Sequence, residues 1–266
     1  MGYRKIEIED REAAKAFDGF LEELGQKLED PKVDRNELCR KTLADLYFGP
    51  LGSQVLAASG ASCAARTLVA SFDPRNVTLE PEYYEDLDPE KYYVRKPLIW
   101  LWTMFDRSPV GQSAHLGHRL RRLLAKHIFK KCGENVKLWH MVEFSYGYNL
   151  SVGDNVVIHR GVLLDDRGEI VIGNNASISD WANVYSHSHN IHDINDVTLG
   201  KTVIGDDVRV TYHATVLSGT ELGHDSMVGT VGVVTKSIPP HHVNVGIPAK
   251  TIVKKKRDCP HCGKVG

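Results

Sequence analysis

The sequence predicts a mainly β chain, a parallel β-helix of about four to five coils preceded by a helical N-terminal region. Two periodicities predict it. Aliphatic residues recur every six positions through the second half, and a 3.6-residue apolar period fills much of the first. Composition bounds the reading: 266 residues, 42% hydrophobic and 25% charged, have the balance of a globular chain and exclude a disordered one.

Lys and Arg number 33 against 34 Asp and Glu, so the net charge of −1 carries no nucleic-acid footprint. The densest apolar stretch, Pro97–Phe105, is far short of the ~20 residues a membrane span needs. Met1–Glu7 has no apolar core of a secretory leader, and five scattered Cys suit a reducing compartment. The expectation is a cytoplasmic protein.

In the first half, Ala13, Phe17, Phe20, Leu21, Leu24 and Leu28 form one face of a helix that Pro31 ends. A second helix is expected over Asp34–Phe48, opened by Asp34 or Asn36 and closed by Gly49-Pro50. Ser53–Phe72, rich in small residues, has no clear period. Asp73–Pro97 holds Pro74, Pro81, Pro89 and Pro97, which predicts an extended, surface-hugging segment. Leu98–Phe105 reads as a short helix or a strand. Ser113–Lys131 reads as a helix with Leu116, Leu120, Leu123, Leu124 and Ile128 on one face. Its other face is basic. Two uses fit this helix: packing its Leu face on the first coil as a cap, or a peripheral membrane contact helped by Ile99-Trp100-Leu101-Trp102.

After Gly133 the period becomes six. Ile204, Val210, Val216, Leu222, Val228 and Val234 stand six apart, and Val208, Ala214, Thr220, Ser226 and Gly232 follow the first five by four residues. Upstream the same spacing joins Val152, Ile158 and Leu164, then Ile172, Ile178 and Val184. Two extra residues fall around Asp165–Gly168, and an excursion lies at Tyr185–Thr202. Six residues make one short extended segment and a turn, and three such segments make a triangular coil with the aliphatic residue inside. Twelve aliphatic positions give four coils, and Val136 and Val142 point to a fifth. The chain thus divides into a helical region (1–132), a β-helix (133–252) and a basic tail carrying Cys259-Pro260-His261-Cys262 (253–266).

Ile204-Gly205-Asp206-Asp207-Val208, Val233-Val234-Thr235-Lys236-Ser237-Ile238-Pro239-Pro240, Gly246-Ile247-Pro248-Ala249-Lys250 and Tyr185-Ser186-His187-Ser188-His189 together resemble the hexapeptide-repeat acyltransferases. The likeness is to their galactoside/maltose O-acetyltransferase branch and to capsule-polysaccharide acetyltransferases, over about 133–254. It implies a left-handed β-helix, a homotrimer and acetyl-CoA as co-substrate in a groove between adjacent prisms. It further implies direct acetyl transfer to a hydroxyl of a saccharide-like acceptor, with no metal.

The transfer needs a base for the hydroxyl proton, and a histidine suits that at neutral pH. Ser188-His189-Asn190-Ile191 matches the family's catalytic motif, so the resemblance makes His189 the general base. It places His187, His192 and Asp166 toward the acceptor. Asp193, Asp180 or a backbone carbonyl are the candidates to orient the base. The resemblance places the donor along Thr230, Thr235, Lys236 and Lys250, with an oxyanion-stabilising backbone N–H near Tyr212. The sequence departs from the relatives at Arg209-Val210-Thr211-Tyr212, where they carry a Trp-Ile-Gly pattern, and in a shorter loop after His189. Two other uses of the same repeats are a non-catalytic trimeric assembly protein and a zinc-dependent, carbonic-anhydrase-like lyase. Cys259 and Cys262 are half of a zinc-ribbon pattern.

Overall fold

The computed structural model describes residues 7–57, 62–256, 258–259 and 263–264. It forms two compact units that divide between Ile128 and Phe129.

The first unit is helical. Asp10 caps α1 (Arg11–Glu29) by accepting from the backbone N–H groups of Glu12 and Ala13. Leu21, Leu24 and Leu28 are its buried stripe. Asp34 caps α2 (Arg35–Phe48), and Gly49, at φ 58°, ends it in a left-handed turn. The stretch without a period folds as α3 (Gly52–Ala57) and α4 (Cys63–Ala70). The segment expected to be extended is instead a chain of short helices. Pro74–Asn76 and Glu80–Tyr83 are 3-10 turns, and α5 spans Pro89–Tyr93. Its prolines sit in the first helical turn, where a missing N–H costs no hydrogen bond, and Asp73 and Asp88 are the caps before them. Tyr92 is fully buried rather than lying on the surface.

Of the two readings of Leu98–Phe105, the helix is observed, as α6 (Lys96–Arg107), followed by α7 (Ala114–Ile128). Ile99, Leu101 and Trp102 are buried core, and the Trp100 indole donates to the Ser71 carbonyl. The bases of α7 are also partly internal. Arg121, 1% exposed, donates to Asp106 Oδ1 at 2.7 Å, and Arg119 pairs with Asp18 at 2.7 Å. Ile99, Leu101 and Trp102 are therefore engaged in the core, and Arg121 is the buried base of the helix. Among the described residues no helix is long and apolar enough to cross a membrane.

The second unit is a parallel β-solenoid. Its first coil is β1 (Lys131–Cys132), β2 (Lys137–Leu138) and β3 (Glu143–Phe144). The second is β4 (Leu150–Val152), β5 (Val157–Ile158) and β6 (Leu163–Asp165). The third is β7 (Glu169–Ile172), β8 (Ser177–Ile178) and β9 (Asn183–Tyr185). A hairpin, β10 (His187–His189) and β11 (Val197–Leu199), then leaves the prism. The fourth coil is β12 (Lys201–Ile204), β13 (Arg209–Val210) and β14 (Thr215–Val216). The fifth is β15 (Glu221–Leu222), β16 (Met227–Val228) and β17 (Val233–Val234). Ile238, bridged to Leu222, and β18 (His242–Val245) begin a sixth, and β19 (Lys250–Lys254) folds back antiparallel on β18. There are thus five full coils and part of a sixth, more than the four to five expected.

Strands of successive coils stack into three faces, β1-β4-β7-β12-β15, β2-β5-β8-β13-β16-β18 and β3-β6-β9-β14-β17. All twelve aliphatic positions of the repeat point inward and are at most 2% exposed. Each contributes about 1.5–3 kcal/mol by leaving water. The first coil holds a correction of phase. Register pairs Cys132 with Val152, Leu138 with Ile158 and Phe144 with Leu164. Val136 and Val142 therefore occupy the slot four residues after the strand position, not the strand position itself.

The corners carry their own pattern. Between the first and second faces, Asn135, Asn155, Asn175, Asp207 and Asp225 are all left-handed, a conformation Asn and Asp tolerate best after Gly. The preceding side chains tie the coils together: Asp154 Oδ1 accepts from Glu134 N–H, Asn174 Oδ1 from Asp154 N–H and Asp206 Oδ1 from Asn174 N–H, at 2.6–2.8 Å. Between the second and third faces the left-handed residues are less tolerant, among them Trp181, His213 and Val231 at φ 61°, 56° and 60°.

Val231 is the β-branched member of this set, and its branch opposes the left-handed backbone.

Candidate active site

The third corner, between the third face and the next coil, gathers the histidines and the acidic pair. Leu164 and Ile172 stand eight apart where most strand positions stand six apart. The two added residues make the Asp165–Gly168 turn. The same spacing separates Phe144 from Val152, so two enlarged turns stack there.

Asp166 is fully buried between them. Its Oδ1 accepts from Tyr146 N–H at 2.7 Å and its Oδ2 from Asn149 N–H at 3.3 Å. Asn149 Nδ2 donates back to the carbonyls of Asp166 and Arg167. Burial, opposed by those backbone donors, pushes the Asp166 carboxyl up to about 7. Asp165 faces the other way. Ser145 Oγ donates to its Oδ1 at 3.2 Å, and its Oδ2 lies 2.8 Å from His187 Nδ1.

The excursion is an antiparallel hairpin with His187 opposite Leu199 and His189 opposite Val197. Alternation along β10 puts His187 and His189 on one face, and their rings meet nearly perpendicular, centroids 5.1 Å apart. His187 is half-buried and His189 exposed. His189 Nδ1 lies 2.7 Å from the Ile194 carbonyl across the hairpin. A carbonyl only accepts, so Nδ1 carries the proton and Nε2 presents its lone pair. The group that orients His189 is thus a backbone carbonyl, one of the three candidates. His192, at the exposed tip, is held through its backbone N–H by Asn190 Oδ1.

The donor residues divide between corners. Thr235 and Lys236 are exposed just after β17, on the third corner two coils beyond the hairpin. Lys250, also exposed, opens β19, and Ala249 N–H donates to Val233 O, which brings the 246–249 turn against β17. These two lysines are exposed cations near the end of the prism. Tyr212 and Thr230 instead lie on the second corner, stacked one coil apart, where Val231 N–H donates to Tyr212 O. Arg209 is exposed on β13. No single corner of one prism holds both sets.

Asp165, Ser145 and the Ile194 carbonyl were not singled out by the sequence. The repeated eight-residue spacing was the signal for the first two. A second-corner ridge was also missed: Trp139 stacks on His159 at 5.9 Å, and Arg160 donates to Asp180 at 3.1 Å beside Trp181. Among the described residues no group of three or more His, Cys, Asp or Glu side chains converges as a metal site. Pro260, His261 and Cys262, and the side chain of Cys259, lie outside the described residues.

No protein-family model matches the chain. A protein of Staphylococcus aureus strain COL named as an acetyltransferase is 33% identical over 144 residues, 53% of this chain and 72% of that protein. The galactoside O-acetyltransferase of Escherichia coli K12 is 29% identical over 168 residues, 62% of this chain and 79% of that protein. Among solved structures, a galactoside acetyltransferase in complex with coenzyme A superposes with a TM-score of 0.57 at 27% identity, covering 65% of this chain and 84% of that one. A maltose O-acetyltransferase from Clostridium difficile 630 shares the fold, with a TM-score of 0.57 at 24% identity, covering 66% of this chain and 92% of that one.

The Asp166 carboxyl yields a stability prediction. Its folded value of about 7 lies above the ~3.9 of an unfolded Asp, so between those values the folded state binds the extra proton. Raising the pH through that window therefore lowers stability, and the loss levels off above about 7. Asp166→Asn is expected to flatten the fall in thermal midpoint between pH 5 and 7.5.

Proposed function

The chain belongs to the hexapeptide-repeat acetyltransferase family, and from that premise we propose that it transfers an acetyl group from acetyl-CoA to a hydroxyl of a saccharide, with His189 as general base. The observation that carries this reading is the hydrogen bond from His189 Nδ1–H to the Ile194 carbonyl, which leaves Nε2 as the proton acceptor on an exposed hairpin. The relatives named as galactoside and maltose O-acetyltransferases support the hydroxyl acceptor and the saccharide class, and the coenzyme A complex supports the donor.

His189 Nε2 takes the hydroxyl proton as the acceptor oxygen bonds to the thioester carbonyl carbon. A backbone N–H at Tyr212 stabilises the charge on the carbonyl oxygen. As the carbon–sulfur bond breaks, His189 returns the proton to the departing sulfur, so the transfer is direct and the histidine ends neutral. His187 and His192 line the acceptor side. Asp166 serves the acceptor through the 145–149 turn that it fixes. Thr235, Lys236 and Lys250 hold the nucleotide phosphates, and Thr230 lines the groove of the pantetheine arm.

The split of these residues over two corners favours a homotrimer. In a three-fold packing the third corner of one prism meets the second corner of the next, joining His189 to a neighbour's Tyr212 and Thr230. Trp181, Tyr212 and Val231 are 45–51% exposed along that second corner, an apolar ridge that such a neighbour would cover. A CoA donor and five scattered Cys support a cytoplasmic location.

Purified protein is expected to run in light scattering at three times its 29.7 kDa chain mass. In calorimetry it should bind CoA near one site per chain. His189→Ala should keep that binding and lose transfer to a saccharide acceptor by a factor of at least ~100. Full activity in His189→Ala would sink the assignment of the base. CoA binding with no turnover on any hydroxyl acceptor would instead favour an assembly protein.

A further inference from the structure

Asp165 has no role in the mechanism above, yet its contacts join three successive coils at the site. It sits on the second coil. Ser145 Oγ on the first coil donates to its Oδ1 at 3.2 Å, and His187 Nδ1 on the third lies 2.8 Å from its Oδ2. Its carbonyl accepts from both the backbone N–H and the hydroxyl of Ser186, the residue that begins the hairpin. The Asp165 and His187 side chains are only 11% and 14% exposed. His187 then places its ring perpendicular to that of His189, centroids 5.1 Å apart. The contacts climb one coil per step, from Ser145 through Asp165 to His187, and end against His189.

We propose that Asp165 is a positioning residue for the acetyl transfer: it fixes the His187 ring as a wall for His189 and stabilises the cationic imidazolium that His189 becomes. This rests on the reading of His189 as the base. The physical ground is twofold. A ring held at ion-pair distance, 2.8 Å, from a nearly buried carboxylate is confined in position, so the ring it packs against is confined as well. A carboxylate one ring away, in a nearly buried setting, also favours the protonated base, and that effect is greatest in the transition state, when the proton has moved.

Other charges face this pair. Asp166 and Arg167 lie on the same turn as Asp165, Tyr185 precedes the hairpin, and His192, Asp193 and Asp196 occupy its far end. Asp196 Oδ2 accepts from Asn190 Nδ2 and Asp193 Oδ1 from Asn195 N–H. Both acids are therefore engaged locally at the hairpin tip, and Asp165 is the acid in contact with the ring beside His189.

The test is the pH profile of kcat/KM for Asp165→Asn, a nearly isosteric change that keeps an oxygen beside His187. Removing the carboxylate disfavours the protonated base, so the acid limb of the profile should move to lower pH, by about half a unit or more. kcat should fall about five- to tenfold with CoA affinity unchanged. His187→Gln breaks the same chain at its second link, so the double variant should be little worse than either single one. An acid limb that stays in place in Asp165→Asn, or losses that multiply in the double variant, overturns the proposal. Either result leaves the base reading intact, whereas an active His189→Ala protein removes that reading itself.

Discussion

The N–H of Val157 donates to the carbonyl of Ala176, that of Ser177 to Val208 and that of Arg209 to Ser226, each at 2.9–3.1 Å and each one coil further along. Everything in the second unit depends on this ladder. A coil in isolation would leave a strand's worth of backbone donors and acceptors unpaired on every face. Stacking pairs them, and the aliphatic column inside supplies the apolar burial. The corner residues are constrained by the same ladder, because they must turn the chain without leaving register. Asn and Asp do so at the first corner, with side chains that also bond to the adjacent coil.

A fixed ladder lets insertions be placed without disturbing the fold. Two added residues at the third corner of coils one and two make the turns that enclose Asp166 and hold Asp165. A much longer insertion at the same corner of coil three makes the hairpin of His187 and His189. Ser145, Asp165, His187 and Thr235 therefore share one edge of the prism because each ends or follows a third-face strand. The proposed chemistry sits on the deviations from the repeat, while the repeat itself supplies their spacing.

How much was legible follows from the same division. The β-helix and its inward residues could be read because each coil repeats one requirement, an aliphatic residue every six positions. The first coil misled because Cys132 and Phe144 fill strand positions while Val136 and Val142, four residues after Cys132 and Leu138, mimic them. Asp-Pro pairs at 73–74 and 88–89 read as breakers of structure, yet each is a helix cap followed by a proline in the first turn. His189 is a candidate through its motif. Asp165 could not be read that way, because its contacts join residues twenty and twenty-two apart that only the coil geometry brings together. The Ile194 carbonyl was invisible for a simpler reason, since any residue type supplies that atom.

The central claim is that His189 of one prism works on a donor laid along the second corner of its neighbour. A crystal structure of the protein with CoA bound tests it most directly. The expected result is a trimer with the CoA sulfur within roughly 4 Å of His189 Nε2 and the pantetheine arm beside the partner's Tyr212 and Thr230. CoA seated away from the His187–His189 hairpin, or held wholly within one prism, would contradict it.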